Sequence, residues 1–173
     1  FYFAGRPEYG TNPCCEIGLK AWTRTRDGRR GASGWQFCNL TEINGDKLHT
    51  EEDFRVAVRA AAIIGTCQAG YTDFNYVGGA TGRLCRDESL LGVSITGMMD
   101  RPATALDPEL QQRMARYAVE VNRETAARLG IRPAARVTCV KPAGSTSLLL
   151  GTASGVHPRH ARRYFRRIQA NRE

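Results

Sequence analysis

The amino-acid sequence predicts an α/β fold with a largely parallel sheet. Two apolar runs, residues 90–96 and 135–140, read as buried strands. Two amphipathic helices carry clear boundary signals, and strands alternate with helices along the chain, the pattern of a sheet with crossover helices. The 173 residues amount to about one domain, enough to bury a core without disulfides. Hydrophobic residues at 42% and charged residues at 24% exclude wholesale disorder. No apolar run reaches the ~18 residues that a membrane-spanning helix needs. The net charge of +8 leaves an anionic partner open, whether nucleotide, nucleic acid or membrane surface. The chain opens at Phe1, with neither methionine nor a signal-peptide pattern, so a piece of a longer protein is expected.

The elements follow in order. Residues 23–34, rich in Arg and Gly, read as an exposed loop. Residues 35–43 form a short strand candidate that the Asn44-Gly45 pair ends as a turn. Thr50, followed by Glu51, Glu52 and Asp53, is a capping box with an acidic first turn. Phe54, Val58, Ala61 and Ala62 continue at helical spacing, so a helix is predicted to about Gln68. Residues 70–82 read as loop, and residues 90–96 as the first buried strand. Asp107 caps the second helix, Pro108 takes its first position and Gly130 ends it. Its apolar face is Leu110, Met114, Tyr117, Val121 and Leu129, with Met98 and Met99 as core filling nearby. Residues 135–140 give the second buried strand, a polar turn follows, and residues 148–150 open a helix. The basic stretch 157–173 reads as partly helical.

The six cysteines form no CxxC pair, and no His stands at zinc-finger spacing from a cysteine pair, which argues against a metal site. Cys67 and Cys139 lie in apolar sequence and read as buried free thiols of a cytosolic protein. Cys14, Cys15 and Cys38 lie in polar, loop-like sequence instead. Asn12, Cys14 and Glu16 fall at i, i+2 and i+4, with Pro13 opposing helix, so on an extended segment they share one face. Amide, thiol and carboxylate together can orient a polyhydroxylated substrate, take a proton, and attack or oxidise through sulfur. A plain turn with two unremarkable cysteines accounts for the same residues.

Two further segments carry possible chemistry. Lys141 and the small residues Ala143, Gly144, Ser145 and Thr146 follow a strand and precede a helix, so their backbone N–H groups can meet an anion or merely start the helix. The spacing is not that of a Walker A loop. In the tail, Arg159, Arg162, Arg163, Arg166 and Arg167 fall on one helical face, either a phosphate-binding stripe or a solvated surface. His157 and His160 have no acidic ligand set beside them and read as structural.

Five blocks in order decide between these readings: NPCCEI, GWQFCNLTEIN, IGTCQAGYTDF, LLGVSITGMMD and VKPAGSTSLLLGTASGVHPR. Together they resemble the catalytic subunit of ribonucleotide reductases, most closely the adenosylcobalamin-dependent, ribonucleoside-triphosphate branch. The resemblance implies that residues 1–173 are a fragment of a ten-stranded α/β barrel with a central finger loop. It implies a thiyl radical at Cys14 that removes the ribose 3′ hydrogen, Glu16 as base for the 3′-hydroxyl, and Asn12 as hydrogen-bonder of the substrate hydroxyls. It makes Cys38 one of two cysteines oxidised to a disulfide, the other expected upstream, and Cys15 an extra thiol facing away. It places the substrate phosphates on Ala143, Gly144, Ser145 and Thr146. Adenosylcobalamin as cofactor, a thioredoxin-type dithiol reductant as partner and a cytoplasmic location follow from the same likeness. A basic nucleic-acid-binding module is the alternative function, and a thiol hydrolase pairing Cys14 with His157 or His160 is a third that no orienting residue supports.

Overall fold

The computed structural model describes residues 9–165 together with 167, 169, 170 and 172. Two small hairpins come first: β1 (Tyr9–Thr11) pairs antiparallel with β2 (Gly18–Lys20), and β3 (Trp22–Arg24) with β4 (Arg30–Ser33). Then come β5 (Asn39–Asn44), α1 (Glu51–Ala69), α2 (Gly78–Glu88), β6 (Leu91–Thr96), the single turn α3 (Pro102–Ala105), α4 (Pro108–Leu129) and the short α5 (Ser145–Leu150).

The centre is α/β as predicted. β5 and β6 run parallel, with Leu40 opposite Gly92 and Ile43 opposite Ile95. The α1–α2 segment makes the crossover that a parallel pair requires. A third chain segment joins the other edge of β6 through the parallel bridge Val93–Thr138. There the Val93 N–H donates to the Val137 carbonyl at 2.8 Å and the Cys139 N–H to the Val93 carbonyl at 3.1 Å.

The two sheet faces differ in chemistry, as strand alternation requires. Ile43, Leu91 and Val93 belong to one apolar core with Phe54, Val58 and Ala62 of α1 and Met114, Ala118 and Val121 of α4. Gly65 lets α1 lie close to the sheet, since a Cβ there would stand 3.1 Å from the Leu91 side chain. Buried Asn122 fastens the layers: its amide donates to Thr66 Oγ1 at 2.9 Å and its oxygen accepts the Ala134 N–H at 2.9 Å. The opposite face carries Cys38, Leu40, Glu42, Ser94, Cys139 and Lys141, and it is this face that bears the candidate site.

Both helix-start readings hold. Thr50 accepts the Asp53 N–H while Asp53 accepts the Thr50 N–H, and Asp107 accepts the Leu110 N–H at 2.7 Å. Gly130 ends α4 in the left-handed region at φ 67°. Other expectations need correction. Residues 23–34 are a hairpin, because Gly28 supplies φ 80° at its turn and Trp22 stacks under the Arg30 guanidinium at 3.8 Å. The strand predicted at 35–43 occupies 39–44 instead, with Trp35 and Phe37 exposed. The loop predicted over 70–82 gives way to α2 at Gly78, whose small residues pack against the chain at Gly34.

Residues 135–140 make only the one bridge, and most of their side chains are exposed, because no further strand covers that edge among the described residues. Met98 is buried but Met99 is exposed, and Leu129 is exposed on the last turn of α4. Cys67 is exposed on α1 and Cys139 half-buried, whereas Cys85 is the buried thiol. The tail forms no helix among its described residues, so the arginine face does not arise there; Arg166 lies outside them. Arg159 instead pairs with Asp100 at 2.9 Å and donates to the Gly151 carbonyl at 2.9 Å.

Candidate active site

The β1–β2 hairpin carries the Asn12–Glu16 constellation on its connecting loop. Those residues are not extended. The Cys15 N–H donates to the Asn12 carbonyl at 2.9 Å, and the Asn12 side-chain oxygen accepts the Ile17 N–H at 3.1 Å, which closes the loop on itself. Cys15 sits at φ 61°, a left-handed conformation costly for a side chain with a Cβ. The single shared face expected from spacing is therefore replaced by a tight turn. Asn12 braces it, Cys14 is exposed on it, and Glu16 is tucked beneath. The Cys15 sulfur turns back toward Thr11 Oγ1, at 3.7 Å.

Glu16 is the unusual residue. Both its carboxylate oxygens are buried, and neither has a hydrogen-bond partner. A buried carboxylate left unpaired costs several kcal/mol unless something else uses it, on the order of ~1–3 kcal/mol per unmet oxygen or more. Its electrostatic neighbours are the thiols of Cys38 and Cys139. Burial, then Cys139, then Glu16 push the Cys38 thiol up to about 12. Burial first, and Glu16 next, push Cys139 up to about 11, while Lys141 works the other way. Both sulfurs are thus held as protonated thiols at neutral pH.

Gly92 makes the gathering possible. A Cβ at that position would stand 3.1 Å from the Cys38 sulfur, 3.0 Å from the Cys139 sulfur and 2.5 Å from Leu40. Beyond the thiols, Lys141 reaches Glu42 at 3.4 Å, and its backbone N–H donates to Ser94 Oγ at 3.1 Å. The second Glu42 oxygen is buried without a partner. One sheet face therefore presents two thiols, two carboxylates with unused acceptor capacity and one ammonium.

The structure brings Glu16 and Cys38 together and puts Asn12 and Cys14 on the loop that carries Glu16. The segment Ala143, Gly144, Ser145 and Thr146 lies at the start of α5, with Ala143 buried and the other three exposed. Gly144 gives its carbonyl to Ser147 Oγ at 2.7 Å, and the Asn44 amide holds the far end of α5 at the Leu150 carbonyl. Glu42 and Cys139 were missed as site residues. Their signal was available: 38, 40 and 42 alternate along one strand, as do 139 and 141 along the neighbouring segment, which puts each set on one face. Among the described residues no cluster of three or more metal-ligating side chains forms, and no helix is long and apolar enough to cross a membrane.

The fold and site define a mixed α/β chain with a thiol–carboxylate face under a finger-like hairpin. No family model matches the sequence, and no curated protein matches it. Among solved structures the chain is similar to part of a B12-dependent (class II) ribonucleotide reductase, with a TM-score of 0.64 at 21% identity. That similarity covers 86% of this chain and 22% of the reductase chain, so the chain spans about a fifth of its length. It establishes a shared fold.

Proposed function

We propose that these residues form part of the active site of a ribonucleotide reductase that converts ribonucleotides, specifically the triphosphates, to 2′-deoxyribonucleotides. The observation that carries this reading is the buried, unpartnered Glu16 carboxylate set among protonated thiols beneath the hairpin that holds Cys14. A carboxylate in that position is placed to accept a hydrogen bond from a substrate hydroxyl that the free protein lacks. The shared fold and the ordered sequence blocks support the same assignment.

In this reading a radical on the Cys14 sulfur takes the ribose 3′ hydrogen atom, forming an S–H bond and leaving a carbon radical. Glu16 takes the 3′-hydroxyl proton, and Asn12 holds the hydroxyls through its remaining amide capacity. The 2′-hydroxyl leaves as water with a proton from the Cys38 thiol, for which a raised pKa is suited. Two electrons come from Cys38 and a second thiol, which close to a disulfide as the second thiol's hydrogen goes to C2′. The hydrogen atom held by Cys14 then returns to C3′, which restores the sulfur radical, and Glu16 gives its proton back to the 3′ oxygen. A thioredoxin-type dithiol, in a cytoplasmic setting, restores the pair by exchange. The exposed backbone around Gly144, Ser145 and Thr146, with buried Ala143, is assigned to the substrate phosphates. These steps belong to a ten-stranded barrel in the complete enzyme.

Adenosylcobalamin is the proposed source of the radical. None of the main clefts is lined by Cys14, and its binding is assigned to the rest of the enzyme. The test is Glu16→Gln in the complete enzyme. Loss of a general base predicts a fall in turnover of about 10²–10⁴-fold with ribonucleotide affinity retained. Turnover within a fewfold of wild type removes Glu16 from the chemistry.

A further inference from the structure

We propose that Glu42 and Lys141 are a positioning pair that fixes the phosphate loop, residues 143–146, relative to the strand next to Cys38. The inference rests on the ribonucleotide reading for what the loop holds, and deepens it by giving these two side chains a task. Lys141 stands at the root of the loop, yet its side chain turns back onto the sheet. Its ammonium reaches Glu42 Oε1 at 3.4 Å and donates to the Pro142 carbonyl at 2.9 Å. Its backbone N–H donates to Ser94 Oγ at 3.1 Å. On the other side, Ser154 donates to the Ala143 carbonyl. The segment bearing Ser154 is itself held to β6: Thr96 Oγ1 donates to the Ala153 carbonyl at 3.2 Å and accepts the Gly155 N–H at 2.9 Å. A Cβ at Gly155 would stand 3.3 Å from the Lys141 carbonyl, so that segment lies directly against the root. Residues 141–143 are thus clamped from two sides, while Gly144, Ser145 and Thr146 stay exposed.

Two features assign the pair to position more than to stability. With side-chain exposures of 19% for Lys141 and 8% for Glu42, both charges are largely out of water. The second Glu42 oxygen is buried with no partner. A buried ion pair left short of a hydrogen bond is a weak stabiliser, and well-packed neutral residues often do as well. The pair also joins two parts of the site that the proposed chemistry needs in register. Cys38 and Glu42 lie on one face of the same extended segment, and Lys141 leads directly into the loop. One ion pair therefore ties the strand beside the reducing thiol to the backbone that holds phosphate. Both hydrogen bonds of the Lys141 ammonium go to protein, so it acts through Pro142 and the loop, not by touching phosphate.

The experiment uses the complete enzyme, with Glu42→Gln, Lys141→Met and the double variant Glu42→Gln/Lys141→Met. Amide exchange at Ala143, Gly144 and Ser145 should be faster in all three, with α1 and α4 unchanged. Unaltered exchange in the loop overturns the proposal. With cytidine triphosphate, kcat should fall about 10–100-fold, the cost of a displacement of about 1 Å, while the dissociation constant stays close to wild type. A direct phosphate contact by Lys141 would instead weaken cytidine triphosphate binding about 10–100-fold, which overturns the positioning role. The double variant controls for misfolding, because it leaves no unpaired buried charge. Its urea midpoint should stay near that of the wild type with kcat still reduced, and full kcat in it overturns the proposal. Exchange is read without turnover. An enzyme that reduces no ribonucleotide therefore ends the reductase reading, and exchange alone then decides whether the pair anchors the loop.

Discussion

Burial first, with Glu16 nearby, keeps Cys38 and Cys139 protonated. Cys38 and Cys139 titrate near 12 and 11 in the folded chain, against 9.0 for an ordinary thiol. The folded chain therefore keeps two protons that the unfolded chain gives up above about pH 9. The stabilisation is complete below pH 9 and is lost as pH climbs through 11 to 12. Urea unfolding at a series of alkaline pH values should show stability falling over that window, and the double variant Cys38→Ser/Cys139→Ser should fall less steeply. Equal slopes for the two proteins would remove these thiols as the cause. Residue-scale chemistry was partly legible in the sequence. Asn12, Cys14, Glu16 and Cys38 stood out by type and spacing, whereas Cys139 looked like core because its flanks are apolar. What the sequence could not convey is that its segment lies at an uncovered edge, leaving the sulfur facing Glu16.

Among the elements, the capped helices were the most readable, because caps are local chemistry that tertiary packing rarely overrides. The hairpins were not, since Arg-rich residues 23–34 have no apolar alternation; stacking of Arg30 on Trp22 holds them instead. The loop at Cys14 is likewise set by Asn12 bonding Ile17, a non-local contact that spacing does not reveal. Element packing rests visibly on Asn122, which joins α1, α4 and the segment leading to the third parallel strand position. Asn122→Leu fills similar volume but strands the Ala134 N–H and removes the bond that Thr66 Oγ1 accepts, while the Thr66 hydroxyl still donates to the Ala62 carbonyl. A loss of about 2–3 kcal/mol is expected by denaturant unfolding. A change below about 0.5 kcal/mol, the range of ordinary surface substitutions, would mean that Asn122 does not fasten these layers.

The β1–β2 hairpin is tied to the body around Glu88, where the Lys20 N–H also donates to Gln36 Oε1 at 2.6 Å. Glu88, buried at the end of α2, meets Lys20 of β2 and accepts the Gln36 amide at 3.1 Å, with Arg136 at 3.9 Å. Burial opposes the Lys20 ammonium, but Glu88 outweighs it and holds the pKa up. Glu88→Gln should loosen the hairpin, read as faster amide exchange at Gly18, Leu19 and Lys20 with α4 unaffected. Unchanged exchange in the hairpin would place its anchor elsewhere.

At the scale of the whole molecule, the parallel pair with one bridged neighbour accounts for the α/β prediction, and the described residues close no barrel. An open apolar cleft of about 290 Å³ lies between α4 and the sheet edge, lined by Phe54, Val58, Ile95, Met114 and Val140. Cys139 also lines it, and the proposed chemistry assigns it no step.

The described tail does not form the helical arginine stripe, and Arg159 pairs with Asp100 instead. Cys14, and not the adjacent Cys15, is proposed to do the hydrogen-atom chemistry beside Glu16. Its direct measurement is deoxynucleotide formation by the complete enzyme, with a ribonucleoside triphosphate, adenosylcobalamin and dithiothreitol, for the wild type, Cys14→Ser and Cys15→Ser. No product is expected from Cys14→Ser with nucleotide binding intact, and substantial turnover from Cys15→Ser. Near-normal turnover of Cys14→Ser, or its loss in Cys15→Ser alone, would contradict it.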